Sequence, residues 1–257
     1  MASQGLHAEA ARQLSIAIGQ VPLTLHFPEG DLRQRAEQRY APFCATGDAA
    51  LPVWLGPARG AEDPREFSYA LDGATVRIED DAIEFGGVRH EWALDSLIRI
   101  LLSHLLLPRK GFLLHAASVL RGGRAYVFTG RSGSGKSTVA SLSPEGTVLT
   151  DEISLVRFAE GAWRAYGTPF WGEFRAAGLN RAGEIAGVYV LEQAREDRVE
   201  PLSAKDALRA LLPNVLFFSS RRGETDTLLG ILAEATGQIP FYRLHFRRTP
   251  DFWRAIA

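Results

Sequence analysis

The chain has 257 residues, enough for one large domain or a small one joined to a second, and its 46% apolar content excludes an intrinsically disordered protein. A formal net charge of −1 gives no footprint for nucleic acid, and the single cysteine, Cys44, excludes an intrachain disulfide and a thiolate metal cluster. Residues 1–12 lack a basic flank followed by an apolar core, and the most apolar stretch, residues 97–107, contains Arg99 and His104 and is about half a bilayer span. A soluble cytoplasmic protein without a membrane partner is therefore expected.

Residues 20–27 alternate as a strand with Val21, Leu23, Leu25 and Phe27 on one face. Residues 30–40 read as a charged helix and 51–55 as a second strand. Residues 67–92 read as a meander of strands at 67–71, 75–79, 82–85 and 88–92. They are separated by Asp72-Gly73, Asp80-Asp81 and Gly86-Gly87, pairs that accept positive φ or cap their own backbone. Asp95, a good N-cap residue, is expected to open an apolar helix that Pro108 and Gly111 end. Residues 1–93 thus read as a small N-terminal α+β module without evident chemistry, and 94–257 as a second domain.

From Gly111 the pattern changes. Residues 112–120 form an apolar strand, Arg121-Gly122-Gly123-Arg124 a hairpin turn, and 125–129 a β-branched and aromatic strand. Residues 130–137 spell G-R-S-G-S-G-K-S, and a short helix runs from Lys136 until the break at residues 143–146. A strand at 147–150 delivers Asp151 and Glu152. Further strands are expected at 153–158, 185–191 and 241–246, and helices at 203–212, 225–235 and 250–257. This order fits an α/β domain on a mixed sheet.

The G-x4-G-K-[ST] pattern between strand and helix is the chemistry-bearing motif. Such a loop stacks backbone N–H groups around an anion. Only three of the 29 basic residues are lysines, so a lysine at this position is not a by-product of composition. Gly130, Ser132, Gly133, Ser134, Gly135, Lys136, Ser137 and Thr138 are expected to hold the phosphates of ATP. Lys136 would reach the β and γ phosphates, and the Ser137 hydroxyl would ligate Mg2+. Asp151 and Glu152 follow Ser137 closely, earlier than the acidic strand of the common ATPase and GTPase cores. A carboxylate there can hold magnesium or take a proton from an attacking hydroxyl; it can also be a turn acid. His115, on an apolar strand, is either a core histidine or a site residue. Arg221, Arg222, Arg243, Arg247 and Arg248 read either as solvated loop arginines or as forks that approach a phosphate or an acidic peptide, and Trp171 as a groove or core aromatic.

Together, His115-Ala116-Ala117-Ser118, the hairpin, the loop and Thr150-Asp151-Glu152 resemble the catalytic core of HPr kinase/phosphorylase, with the family's histidine 15 residues before the first loop glycine, as His115 is here. The resemblance covers roughly residues 105–191 and, more weakly, the remaining C-terminal half. It implies a P-loop kinase fold of the phosphoenolpyruvate-carboxykinase-like type. It implies that Asp151 is the base for a serine hydroxyl, and the acid in the reverse phosphorylase direction, with His115 beside it. The family's second aspartate is Glu152 here. Its E-x-R-G-x-G segment corresponds to residues 173–178, with Ala176 and Ala177 in place of the expected residues. By this resemblance Glu173 joins the metal shell with Ser137 and Glu152, and Arg175 neutralises the transferring phosphoryl group. The N-terminal module does not match the regulatory domain of HPr kinases. The chain looks more like the stand-alone HPr-kinase-related proteins of bacterial peptide-tailoring and exopolysaccharide-type gene neighbourhoods.

The function expected is an ATP-dependent serine kinase acting on a peptide or protein acceptor, without a nucleic-acid partner and compatible with a homo-oligomer. Two alternatives remain: a kinase for a small hydroxyl compound, and a nucleotide-binding regulatory module that does not turn ATP over.

Overall fold

Alternation of apolar and polar residues builds the first sheet. Strands β1 (Gln13–Ile18) and β2 (Val21–His26) pair antiparallel, placing Ile16 opposite Leu23, both fully buried. Helix α1 (Leu32–Tyr40) follows, then β3 (Leu51–Gly56), β4 (Thr75–Ile78) and β5 (Ile83–Gly86). The five strands lie in the order β1-β2-β3-β5-β4, with β3 parallel to β2 and β5. The computed structural model describes residues 12–46, 50–56, 75–78, 83–144, 147–219 and 221–256. The expected strand at 67–71 and the turns at 72–73 and 80–81 lie outside them. The chain divides into two compact units, residues 1–101 and 102–257.

Two local expectations are corrected in the first unit. Residues 88–92 do not form a strand, because helix α2 (Glu91–Leu105) already begins at Glu91. Asp95 therefore lies inside the helix and caps nothing. Its buried carboxylate accepts hydrogen bonds from Arg39 and, at 2.5 Å, from the Tyr40 hydroxyl. Burial works against the Arg39 charge, but Asp95 outweighs it and raises the guanidinium pKa; burial and then Asp95 push the Tyr40 hydroxyl well up. The carboxylate is held where it satisfies a buried cation, a stronger demand than a cap.

The second unit begins with β6 (Gly111–Arg121), β7 (Arg124–Thr129), α3 (Lys136–Ser141), β8 (Val148–Thr150), β9 (Ile153–Ala159) and β10 (Ala162–Tyr166). It continues with β11 (Ala182–Gln193), β12 (Arg198–Pro201), α4 (Ala204–Leu211), β13 (Val215–Leu216), α5 (Arg222–Gln238), β14 (Phe241–Phe246) and α6 (Phe252–Ile256). The mixed sheet runs β10-β9-β6-β7-β11-β14-β12, with β8 and β13 added to β6 and a further β10–β11 pairing. β10, β12 and β13 carry no strong sequence signal. β12, for example, holds a single aliphatic residue, Val199, and forms because β14 offers it an antiparallel backbone partner.

The sheet is buried on both faces. Ala125 and Val127 of β7 pack with Leu228, Ile231 and Leu232 of α5 and with Ala207 and Leu211 of α4. Phe128 points the other way, with Tyr189, Leu244, Val139 of α3 and Phe252 and Trp253 of α6. A shift between Ile185 and Gly187 lets β11 keep Val188 on the first face and Tyr189 on the second. Each of the large side chains here contributes about 1.5–3 kcal/mol by leaving water. The central strands β7, β11 and β14 run parallel, so their C-terminal ends reach one edge of the sheet. Among the described residues no helix is long and apolar enough to cross a membrane.

Candidate functional site

That edge carries the glycine-rich loop. β7 ends at Thr129, whose hydroxyl donates to the His115 carbonyl on neighbouring β6 at 3.1 Å. Residues 130–135 then lead into α3. Gly135 has φ +109°, and a Cβ there would meet the Phe246 ring at 2.5 Å, so only glycine fits between the loop and the core. Lys136 is buried, and its ammonium folds back to donate to the carbonyls of Gly130 (3.0 Å) and Arg131 (3.3 Å), closing the loop on itself. Burial lowers the Lys136 pKa, with Glu152 and Glu173 pulling the other way.

The acidic segment follows β8. The Thr150 hydroxyl accepts the amides of Glu152 and Ile153, each at 3.3 Å, and the Glu152 carbonyl accepts the Ala116 amide at 3.0 Å. These bonds dock the turn against β6 beside His115. The two carboxylates then part company. Asp151 is buried and accepts the backbone N–H groups of Gly172 (3.2 Å) and Phe174 (3.0 Å). Glu152 is a third exposed and stands 3.8 Å from the His115 Nε2. Gly172 makes the approach feasible, since a Cβ there would lie 2.6 Å from an Asp151 oxygen and 2.9 Å from a Glu152 oxygen.

A cavity of about 420 Å³ collects the result. It is lined by His115, Ser132, Gly133, Gly135, Lys136, Ser137, Thr138, Glu152, Glu173 and Arg248. Gly130 and Ser134 belong to the same loop and line a neighbouring pocket. Asp151 and Arg175 do not line the cavity. Arg175 is exposed in a tight turn, with φ +49° and its amide donating to the Gly172 carbonyl at 3.3 Å.

Two further residues brace the loop, Arg248, which lines the cavity, and Gln193, which lines the neighbouring pocket. Arg248 donates to the Gln193 side chain at 3.1 Å, and Gln193 donates to the loop carbonyl of Gly133 at 2.7 Å. Gln193 ends β11, and Arg248 lies two residues past β14. Arg247 is clamped to Asp197 by its amide (2.7 Å) and guanidinium (2.8 and 3.0 Å), which fixes the chain from which Arg248 projects. The only sequence signal was the Arg247-Arg248 pair directly after a strand that turns out to lie two strands from the loop.

Among the described residues no group of three or more His, Cys, Asp or Glu side chains is arranged to hold a metal. The side-chain donors among the lining residues are the Ser132, Ser137 and Thr138 hydroxyls, the Glu152 and Glu173 carboxylates and the His115 imidazole. The hydroxyls and carboxylates are hard oxygens of the kind that Mg2+ takes together with water.

The model of a family described as SynChlorMet cassette protein ScmC matches residues 92–257, more than half of the chain. No curated protein matches it. Among solved structures, the Hpr(Ser) kinase/phosphatase from Coxiella burnetii aligns at 10% identity over 49% of this chain and 89% of that one, with a TM-score of 0.27, too low to carry an argument.

Proposed function

The chain belongs to the ScmC family of SynChlorMet cassette proteins, and we propose that its second unit is an ATP-dependent kinase that phosphorylates a serine hydroxyl of a peptide or protein. One observation carries the reading: a single cavity gathers Lys136, Ser137, His115, Glu152, Glu173 and Arg248 from separate segments of the chain. Phosphoryl transfer asks for this set, namely a cradle, cations for the developing charge, oxygens for a metal and a group that takes a proton.

In this reading Lys136 exchanges its two loop carbonyls for phosphate oxygens. Ser137, Glu152 and Glu173 would hold Mg2+, which would supply positive charge against the phosphates. The acceptor hydroxyl gives its proton to the His115 imidazole as its oxygen bonds to the γ-phosphorus. The bond from that phosphorus to the bridging oxygen breaks, and ADP leaves with the electron pair. Arg248 faces the phosphoryl oxygens and takes the role expected of Arg175. Asp151 acts as a positioning residue: it grips the amides on either side of Glu173 and so presents that carboxylate. This assigns the proton acceptor to His115, beside Glu152, in place of Asp151.

Purified chain with Mg-ATP labelled on the γ-phosphate is expected to transfer label to serine-containing peptides, and Lys136→Met to lower the rate at least ~100-fold. Tight ATP binding with no acceptor-dependent ADP production would instead mark a nucleotide-binding regulatory module.

A further inference from the structure

A second pocket, of about 810 Å³, adjoins the first and shares His115, Ser132 and Gly133 with it. It opens on the Gly130–Arg131 side of the loop, away from Ser137 and Thr138. Its floor is apolar, made by Val190 and Leu191 of β11 and by Ala210 and Pro213 at the end of α4. Its charge is one-sided: among the described residues its walls carry the guanidinium groups of Arg131, Arg209 and Arg243 against one carboxylate, Glu192. Glu192 stands 3.5 Å from Arg243 and Asp206 3.4 Å from Arg209, and both arginines keep about half or more of their side-chain surface in water. The volume is several times what a free amino acid fills, within the range of ligand pockets.

We propose that this pocket seats the acceptor as an acidic peptide segment, with an apolar side chain on the floor, carboxylates toward the three arginines and the serine hydroxyl at His115. The inference rests on the kinase reading for the word acceptor. It stands on the pocket's own chemistry for the acidic peptide. An arginine fork matches a carboxylate, and three of them around an apolar floor select a chain that alternates acid with an apolar residue. His115 is the wall common to both cavities, so a hydroxyl entering from the second pocket meets the phosphates of a nucleotide in the first.

The test uses the full chain, a non-hydrolysable ATP analogue with Mg2+, and two fluorescein-labelled peptides. One has a central serine, a neighbouring leucine and flanking glutamates; in the other the glutamates are glutamines. Fluorescence anisotropy is expected to show the acidic peptide binding about tenfold tighter, the sum of two or three partly exposed charge pairs. Added salt should shrink the difference. Arg209→Glu with Arg243→Glu should erase it while leaving the stabilisation by Mg-ATP intact. Equal affinity for the two peptides, no binding of either, or displacement of the peptide by the nucleotide analogue would overturn the proposal. The kinase reading fails separately, if the acidic peptide binds with this preference but never receives label from Mg-ATP.

Discussion

Lys136 is held by two carbonyls that a phosphate would displace, so the loop is poised around its own cation before any ligand arrives. Arg248 is held in a different way, by a neutral amide that also anchors Gly133. Its charge is therefore not neutralised by that partner and is available to a phosphoryl group. Arg248→Ala is expected to lower the transfer rate ~100-fold, and Arg175→Ala to change it no more than about twofold. Equal losses from both, measured under single-turnover conditions, would return Arg175 to the site. Asp151 offers a sharper contrast. In Asp151→Asn one of the Gly172 and Phe174 amides faces an NH2 group, at a cost of about 1–3 kcal/mol. The melting temperature should fall and the Mg2+ concentration for half-maximal transfer should rise several-fold. A base at Asp151 would give a different signature, a rate loss of ~100-fold or more with an unchanged magnesium requirement.

At the scale of elements, the last turn of α2 meets α5 through a titratable contact. His104 Nδ1 lies 3.0 Å from a Glu224 carboxylate oxygen, and the imidazole is largely buried. Burial lowers its pKa below the ordinary 6.5, and Glu224 only partly restores it. The sign follows from proton counting. Below pH 6.5 the unfolded chain takes up a proton that the folded imidazole refuses, so stability is present above that value and lost as the pH falls through it. Thermal melts from pH 7.5 to 5 should show a declining melting temperature, and His104→Gln should flatten the decline. An unaltered slope in the variant would move the acid sensitivity elsewhere. The parallel strands β7, β11 and β14 explain why the cavity forms where it does. Their registered ends, Val190 opposite Thr129 and Gln193 opposite Phe246, set the loop, the glutamine and the arginine segment side by side.

For the whole molecule, a ligand that binds only the folded second unit raises its stability by mass action. Mg-ATP at 100 times its dissociation constant adds about 2.7 kcal/mol, which for a unit of this size shifts the melting temperature by roughly 5–10 °C. Calorimetry with and without Mg-ATP should show that shift, and Lys136→Met should abolish it. How much of this was legible beforehand follows the range of the interactions. The hairpin at Gly122-Gly123, the strand into the loop, the loop itself and the Ser203-capped α4 were readable, because turn chemistry, period-two burial and capping act over a few residues. His115 and Glu152 were named from the family resemblance, and the docking of the 150–153 turn on β6 brings them together. Asp95 was read as a cap but lies inside the helix, and whether Asp151 is a base is decided by the kinetic contrast above. Each accepts from a remote segment, the buried Arg39 guanidinium in one case and the partly buried 172–174 backbone in the other. Gln193 was missed for the same reason, and Arg248 was weighed only as one of five arginines. The sequence by itself determined the glycine-rich loop and its strand and helix neighbours, whose geometry is local. Only the tertiary structure decided which carboxylate and which arginine face the cavity, because that choice depends on strand register and on where buried charges find partners.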